Sequence, residues 1–469
     1  NASLGTASPT SFDAGKLKFS ETVGNLDLVR PIDTKGAIKS LSLAFGGEFR
    51  VERYQIEAGQ FESYSLGNGG DRPGVDFDTT STGKPKAAGS QVFPGFQPSN
   101  EVDRFRNSLS LYAGLEAQLT DKWLVDVGGR FESYNDFGER VTGKLATRYE
   151  IVENFALRGA VSSGFRAPSL NQVWFNNVST QFVINPATNE LEPAQVLTAN
   201  NKSPVTRAFG IPELKEETSI NVSGGFTARP HPKFSLTADA YFIRIDDRIV
   251  LTSRFTSGNP TFARILEPFK DAGVTQAQFF ANAVDTETKG LDIVASFFTH
   301  VGRGRLDLTA SANFTDTNVE NINVPRRLAE QVLPGESLDA VKSTLFNREE
   351  RNRLEDALPR QKGNFTARYS IDRWSFMGRA EVFGNVKYKP TNPANDETFD
   401  AKVLFDVDAG FEFIPGAQIH VGANNLFDTF PDRQTKPANL SNGNFPFSRR
   451  VTQFGMNGGF YYAKLEFDL

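Results

Sequence analysis

The feature that most constrains this chain is an alternation of apolar and polar side chains with a period of two, repeated almost from end to end. From Ser108 it reads SLSLYAGLEAQL, with Leu109, Leu111, Ala113, Leu115, Ala117 and Leu119 on one face and Ser108, Ser110, Tyr112, Glu116 and Gln118 on the other. That period belongs to an extended strand, and about ten such residues cross a bilayer when tilted. After Asp121-Lys122 comes WLVDVGGRFESY, which sets Trp123, Val125, Val127 and Phe131 against Asp126, Arg130 and Glu132. The pattern returns at Leu145, Tyr149 and Ile151, then at Phe155, Leu157, Val161 and Phe165, and at Ile220, Val222 and Phe226. It recurs at Leu306, Leu308, Ala310 and Phe314, and at Val403, Phe405, Val407 and Phe411. About fifteen such segments run from Lys16 to Leu469. Only Arg348–Leu358 reads as helix, and it falls inside a loop.

Alternation alone also fits a soluble sandwich whose apolar faces meet. Connection lengths separate the two readings. Thr120-Asp121-Lys122, Glu153-Asn154, His231-Pro232-Lys233, Val301–Gly304, Asp372-Arg373 and Pro415-Gly416 are short. The intervening links, Glu57–Asp103, Asn171–Lys215, Thr252–Asn282, Asn318–Pro359 and Pro390–Thr398, are mostly long. Long loops therefore gather at one end, which is uncommon in compact soluble domains. Trp123, Phe155, Phe234 and Trp374 stand on the apolar face just after short turns, with Phe131, Phe165, Phe242 and Phe314 near the other strand ends. Two ring rows bounding an apolar band suit a membrane interface, whereas a sandwich core would hold its rings mid-strand. The predicted fold is all-β, an antiparallel transmembrane β-barrel with long extracellular loops.

Composition sets the exclusions. A mean hydropathy of −0.38 does not oppose a barrel, because only alternate residues face lipid. The 51 Lys+Arg against 56 Asp+Glu give a net charge of −5, which offers nothing to nucleic acid. With no cysteine there is neither a disulfide framework nor a thiolate metal site. His231, His300 and His420 lie in or beside short turns and read as surface turn residues; with no HExxH run or His/Cys cluster, no metal site is expected. A barrel of sixteen or more strands leaves a wet bore, so Arg130, Glu132, Arg148, Glu150, Arg158, Arg166, Arg379, Glu381, Asp406 and Asp408 are expected on its lumen wall. The plainer alternative makes each a water-facing wall residue without a task.

Three motifs carry a family resemblance. Leu157–Leu170 reads LRGAVSSGFRAPSL, Glu213–Ser219 reads ELKEETS, and Gly422–Asp428 reads GANNLFD. These resemble the Gly-Phe-Arg-Ala-Pro box, the Leu-Lys-Pro-Glu-Thr element (with Glu216 where proline is usual) and the Asn-Leu-Phe-Asp motif of the TonB-dependent receptors. Asn25–Arg30 with Ala44–Arg53, and FPGFQPSNEVD at Phe93–Asp103, resemble one receptor subgroup with long outer loops. The final alternation of Tyr461, Ala463, Leu465, Phe467 and Leu469 looks like the strand read by the barrel-assembly machinery, although the family usually ends in an aromatic residue.

The resemblance implies a Gram-negative outer-membrane location and a 22-stranded receptor-type barrel. It also implies ligand-gated, proton-motive-force-driven uptake of a scarce nutrient such as a ferric siderophore or an oligosaccharide. The expected partners are outer-membrane lipid, a small extracellular ligand, the TonB-ExbB-ExbD complex and the barrel-assembly machinery; neither cofactor nor catalytic residue is expected. No leader or plug is recognisable, and counting strands back from the end puts Asn1 in an extracellular loop near the eighth strand. Residues 1–469 are thus expected to be a C-terminal barrel portion of about fifteen strands, without plug or early strands; an odd count cannot close a normal bacterial barrel. Ligand candidates are the loop aromatics Phe93, Phe96, Trp174, Phe175, Phe182, Phe279 and Phe280, with Arg207, a set suited to catecholate or peptide-like ligands; the plainer reading is that these rings anchor their own loops. Haem is disfavoured, because no histidine lies between Pro168 and Pro212. A plugless remnant acting as adhesin or passive pore is the alternative, and an enzyme barrel would need a Ser-His or Asp-His set at strand ends.

Overall fold

A computed structural model describes residues 1–34, 38–65, 89, 94–184, 191–272, 274, 276–440 and 445–467, with the backbone alone at 179–184, 191–195 and 270–272. Fifteen strands form one sheet in sequence order, every neighbour antiparallel. It begins at Lys16–Ile32 and ends at Phe460–Phe467, and these two edge strands do not pair with each other among the described residues. No helix among the described residues is long and apolar enough to cross a membrane.

Register shows why the alternation matters. Leu43, Leu115, Val127, Leu145, Val161, Val222 and Phe242 are successive direct partners across seven strands. A strand's side chains alternate faces, so the whole row shares one face. Leu115, Val127, Leu145, Val161 and Val222 are 40–47% exposed. No second sheet covers them among the described residues, and the sandwich reading fails here. One residue along, Ser42, Glu116, Asp126, Ala146, Ala160, Ser223 and Tyr241 make the matching row on the polar face.

The turns obey local chemistry. Asn154 and Asp372 take φ of 67° and 51°, and Gly302 and Gly416 take 61° and 78°. Such left-handed positions are open to glycine and tolerated by Asn and Asp, which lets these turns close in two residues. At the opposite end, Asn135–Phe137 is a short connection between Trp123–Tyr134 and Gly138–Val152; the other links there are long.

The conventional hydrophobic core lies in those long connections. Phe209, Phe255, Phe262, Phe279, Leu328 and Leu345 are 0–2% exposed and belong to one cluster. Phe255 stacks on Phe279 at 5.0 Å, and Phe209 lies 4.9 Å from Phe255. Around them stand a four-stranded sheet (Phe255–Thr256, Gln276–Gln278, Leu191–Thr198 and Asn177–Ile184) and the helices Pro204–Ala208, Pro260–Leu266, Arg326–Ala329 and Leu338–Leu345.

Candidate functional site

Arg130, Arg148, Arg158, Arg166 and Arg379 lie on the face opposite the apolar rows, and each is paired with a carboxylate. Arg130 contacts Glu132 at 2.6 Å and Glu48 at 3.5 Å, with its guanidinium 5.4 Å from the Tyr112 ring. Arg158 donates from Nε to Asp239 at 2.6 Å, Arg166 from Nε to Glu217 at 2.9 Å, and Arg379 from Nε to Asp406 at 2.8 Å. Arg148 reaches Glu150 at 3.4 Å and Arg379 reaches Glu381 at 3.5 Å. Asp408 accepts from Tyr462 Oη at 2.9 Å and stands 2.7 Å from His420 Nδ1. His420 is therefore no surface turn residue. Ile419 and Val421 are exposed on the apolar face, which turns the residue between them to the polar side.

Each motif builds a junction between wall and loop. Pro168 O accepts from Arg106 Nη1 at 2.6 Å, and Arg106, 2% exposed, also holds Asp136 at 2.7 Å. Glu217, which pairs with Arg166, accepts from Ile249 N at 2.7 Å. Asn425 N donates to Asp406 at 2.7 Å, its side chain exchanges hydrogen bonds of 2.8 and 2.9 Å with Thr429, and Asp428 accepts from Gly459 N at 2.8 Å.

The loop aromatics do not converge on one place. Phe96 packs edge-on to Phe175 at 6.3 Å beside Tyr54, Ile56 and Leu170, and Trp174 lies under the Arg104 guanidinium at 4.4 Å. Phe279 is buried in the separate loop core, and Phe280 opens the strand Phe280–Val301 opposite Leu251. Arg207 donates to Ile211 O at 2.6 Å and to Asn201 O, within its own loop. Phe182 lies in the strand Asn177–Ile184 with its side chain outside the described residues, as is all of Phe93.

A different cavity sits at the long-loop end, with a volume of about 820 Å³, and none of the six candidates whose side chains are described lines it. Three long connections bring Arg254, Arg348, Arg353 and Arg450 to its wall with Glu349 and Glu350. The helix Arg348–Glu355 carries four of these six; it starts where it does because Asn347 Oδ1 accepts from Glu350 N at 2.9 Å. Arg450 crosses from another loop to Glu349 at 2.9 Å, Arg353 meets Glu350 at 2.9 Å, and Arg348 grips Asp396 through two bonds of 2.6 Å. That grip holds the Asp396 carboxyl below the usual carboxylate range. Burial, then the nearby Arg450 charge, pushes the Arg254 guanidinium below its ordinary value, with Glu349 opposing. With Asp396 counted against Arg348, four guanidinium groups meet three carboxylates, and the positive charge left over makes the wall suited to an anionic ligand. Among the described residues no cluster of three or more His, Asp or Glu could hold a metal ion.

Comparison with known proteins agrees with the sheet. A family model described as "TonB dependent receptor-like, beta-barrel" matches residues 6–426. Among solved structures, the siderophore receptor PirA from Acinetobacter baumannii is similar at 15% identity and a TM-score of 0.56, over 96% of this chain and 55% of that one. A ferric enterobactin receptor variant, PfeA from Pseudomonas aeruginosa in complex with enterobactin, is similar at 14% identity and a TM-score of 0.60, over 96% and 54%. At such identity the likeness is one of fold, and the chain spans about half the length of these proteins. No curated protein matches the chain.

Proposed function

Because the chain belongs to the TonB-dependent receptor-like β-barrel family, we propose that it is the greater part of the wall and outer loops of a Gram-negative outer-membrane transporter. In this reading further strands and a plug complete the barrel, the TonB-ExbB-ExbD complex supplies the work, and the barrel-assembly machinery reads the strand Phe460–Phe467. Lipid covers the exposed Leu, Val and Phe rows, and water or plug meets the paired charges. The nutrient enters from the long-loop end. No step of this needs covalent chemistry.

The observation that carries the ligand reading is the cavity walled by Arg254, Arg348, Arg353 and Arg450. Ferric siderophores of the catecholate class present several anionic oxygens, whereas a neutral oligosaccharide would gain little from a wall with more guanidinium groups than carboxylates. A ferric siderophore is therefore favoured over a glycan. Calorimetric titration of the purified protein with a ferric tris-catecholate and with a neutral oligosaccharide tests this. The chelate should bind, and Arg254→Gln with Arg450→Gln should weaken it by about tenfold or more, the scale of one lost charged hydrogen bond. Binding of the saccharide alone, or chelate binding indifferent to both substitutions, would overturn the siderophore reading.

A further inference from the structure

The polar face holds a second recess, at the short-turn end, far along the strands from the arginine-walled cavity. Its volume is about 300 Å³, and its wall includes Arg229, Lys233, Ser235, Ser296, Phe298 and Arg305. Ser235, Ser296 and Thr309, all in the lining, are successive direct partners across three strands and form one row of hydroxyl groups. Asp307 also stands in that lining, and its carboxylate is engaged: Arg305 holds it through contacts of 2.7–3.0 Å. The same guanidinium lies 4.8 Å from the centre of the Phe298 ring.

Elsewhere on this face Arg130, Arg148, Arg158, Arg166 and Arg379 each meet a carboxylate. Arg229 and Lys233 differ from these: no ion pair is made by either among the described residues, which is also true of Arg368 and Lys362 on the same face, but only Arg229 and Lys233 stand together in one recess. Their backbones are pinned all the same, by Arg229 N to Asn154 O at 2.7 Å and Phe298 N to Lys233 O at 3.0 Å. Two unpaired cations on fixed backbone beside a row of hydroxyl donors form a site for oxyanions. The half-buried Phe298 ring narrows the class. A bare ion would leave the ring wet, whereas the methylenes of a glutamate would cover it while its carboxylate meets the cations.

We propose that this recess binds carboxylate side chains of an acidic peptide segment approaching from the short-turn end. That this end faces the periplasm rests on the transport reading; the recess and its ligand chemistry do not. The test uses the purified chain in detergent and a fluorescently labelled glutamate-rich peptide, read by anisotropy. Wild type should bind, more weakly as salt is added. Arg229→Gln with Lys233→Gln should weaken binding by about tenfold or more, and Arg303→Gln, on a neighbouring turn outside the recess, should change nothing. Heat-modifiable migration on gels shows that each variant is folded. Equal affinity in the double variant overturns the proposal. So does displacement of the peptide by inorganic phosphate at matched charge concentration, the mark of an adventitious ion only. The chelate titration above should be the same in the double variant and wild type, so failure of the transport reading and failure of this one appear in separate measurements.

Discussion

Two populations of aromatic rings divide this molecule. In the wall, Trp123, Phe365 and Trp374 stand between 42% and 49% exposed on the apolar face. In the long connections, Phe209, Phe255 and Phe279 are wholly buried against one another. The same side-chain chemistry thus answers two solvents. A ring buried among other rings gains its stability in water, through the hydrophobic effect and close packing. A ring on an open sheet face gains nothing in water and becomes an asset only when hydrocarbon or a headgroup region covers it. The loop head is built like an ordinary soluble core, and the wall is inside out.

The difference can be broken most forcefully in the loop head. Phe279→Ala removes a fully buried ring from that core and should cost about 3–5 kcal/mol. The loss should be local: amide exchange should quicken in the loops around Phe255 and Leu345 while strands such as Trp123–Tyr134 keep their protection. Uniform loss of protection through the wall would mean that the two regions unfold as one unit. A smaller effect is expected from Val127→Arg, which sets a charge mid-strand on the apolar face. In lipid it should cost about 2–4 kcal/mol, whereas Ser223→Arg on the polar face should be tolerated. Denaturant titration of both variants refolded into vesicles makes the comparison; equal cost for the two would show that the Leu–Val–Phe rows do not face hydrocarbon.

The wall was legible in the sequence because a strand with one apolar and one polar face must repeat its chemistry at every second residue, and no distant contact is needed to see it. Connection lengths then placed the loops at one end. The loop head left no such trace. Phe209, Phe262 and Leu345 of that cluster come from separate connections, and their convergence is a matter of long-range packing. The arginine cavity was hidden for the same reason: the helix at Arg348 could be read from its run of charges, but Arg254 and Arg450 join it only through the fold. His420 was a different failure. Nearness to a turn suggested a surface residue, when the parity set by Ile419 and Val421 already assigned it to the side of Asp408.

The smallest of the three effects tests how the loops are fastened to each other. Glu397 is buried between the short strand Glu397–Phe399 and the connection after Asn424. Its carboxylate accepts from Thr435 Oγ1 at 3.0 Å, Lys436 N at 3.1 Å and Thr435 N at 2.5 Å, and Asn439 Nδ2 donates to it at 2.5 Å. Burial opposes its ionised form, but the backbone N–H groups of Thr435 and Lys436, with the Asn439 and Thr435 side chains, outweigh burial and hold its pKa below the ordinary glutamate value. A carboxyl depressed on folding contributes stability above its unfolded pKa of about 4.3 and loses it as pH falls through the lower folded value. The connection around Thr435 should therefore stay protease-resistant at neutral pH and loosen only in acid below that range. Glu397→Gln should loosen it at neutral pH by about 1–3 kcal/mol, because an amide nitrogen turned toward N–H donors leaves them unpaired, and the difference from wild type should shrink in acid. The acid step should vanish with it. An acid step that survives in the variant would assign the effect to another carboxylate, of which Asp432, depressed against burial by Lys402 and the Asp400 backbone, is the nearest in the same connection.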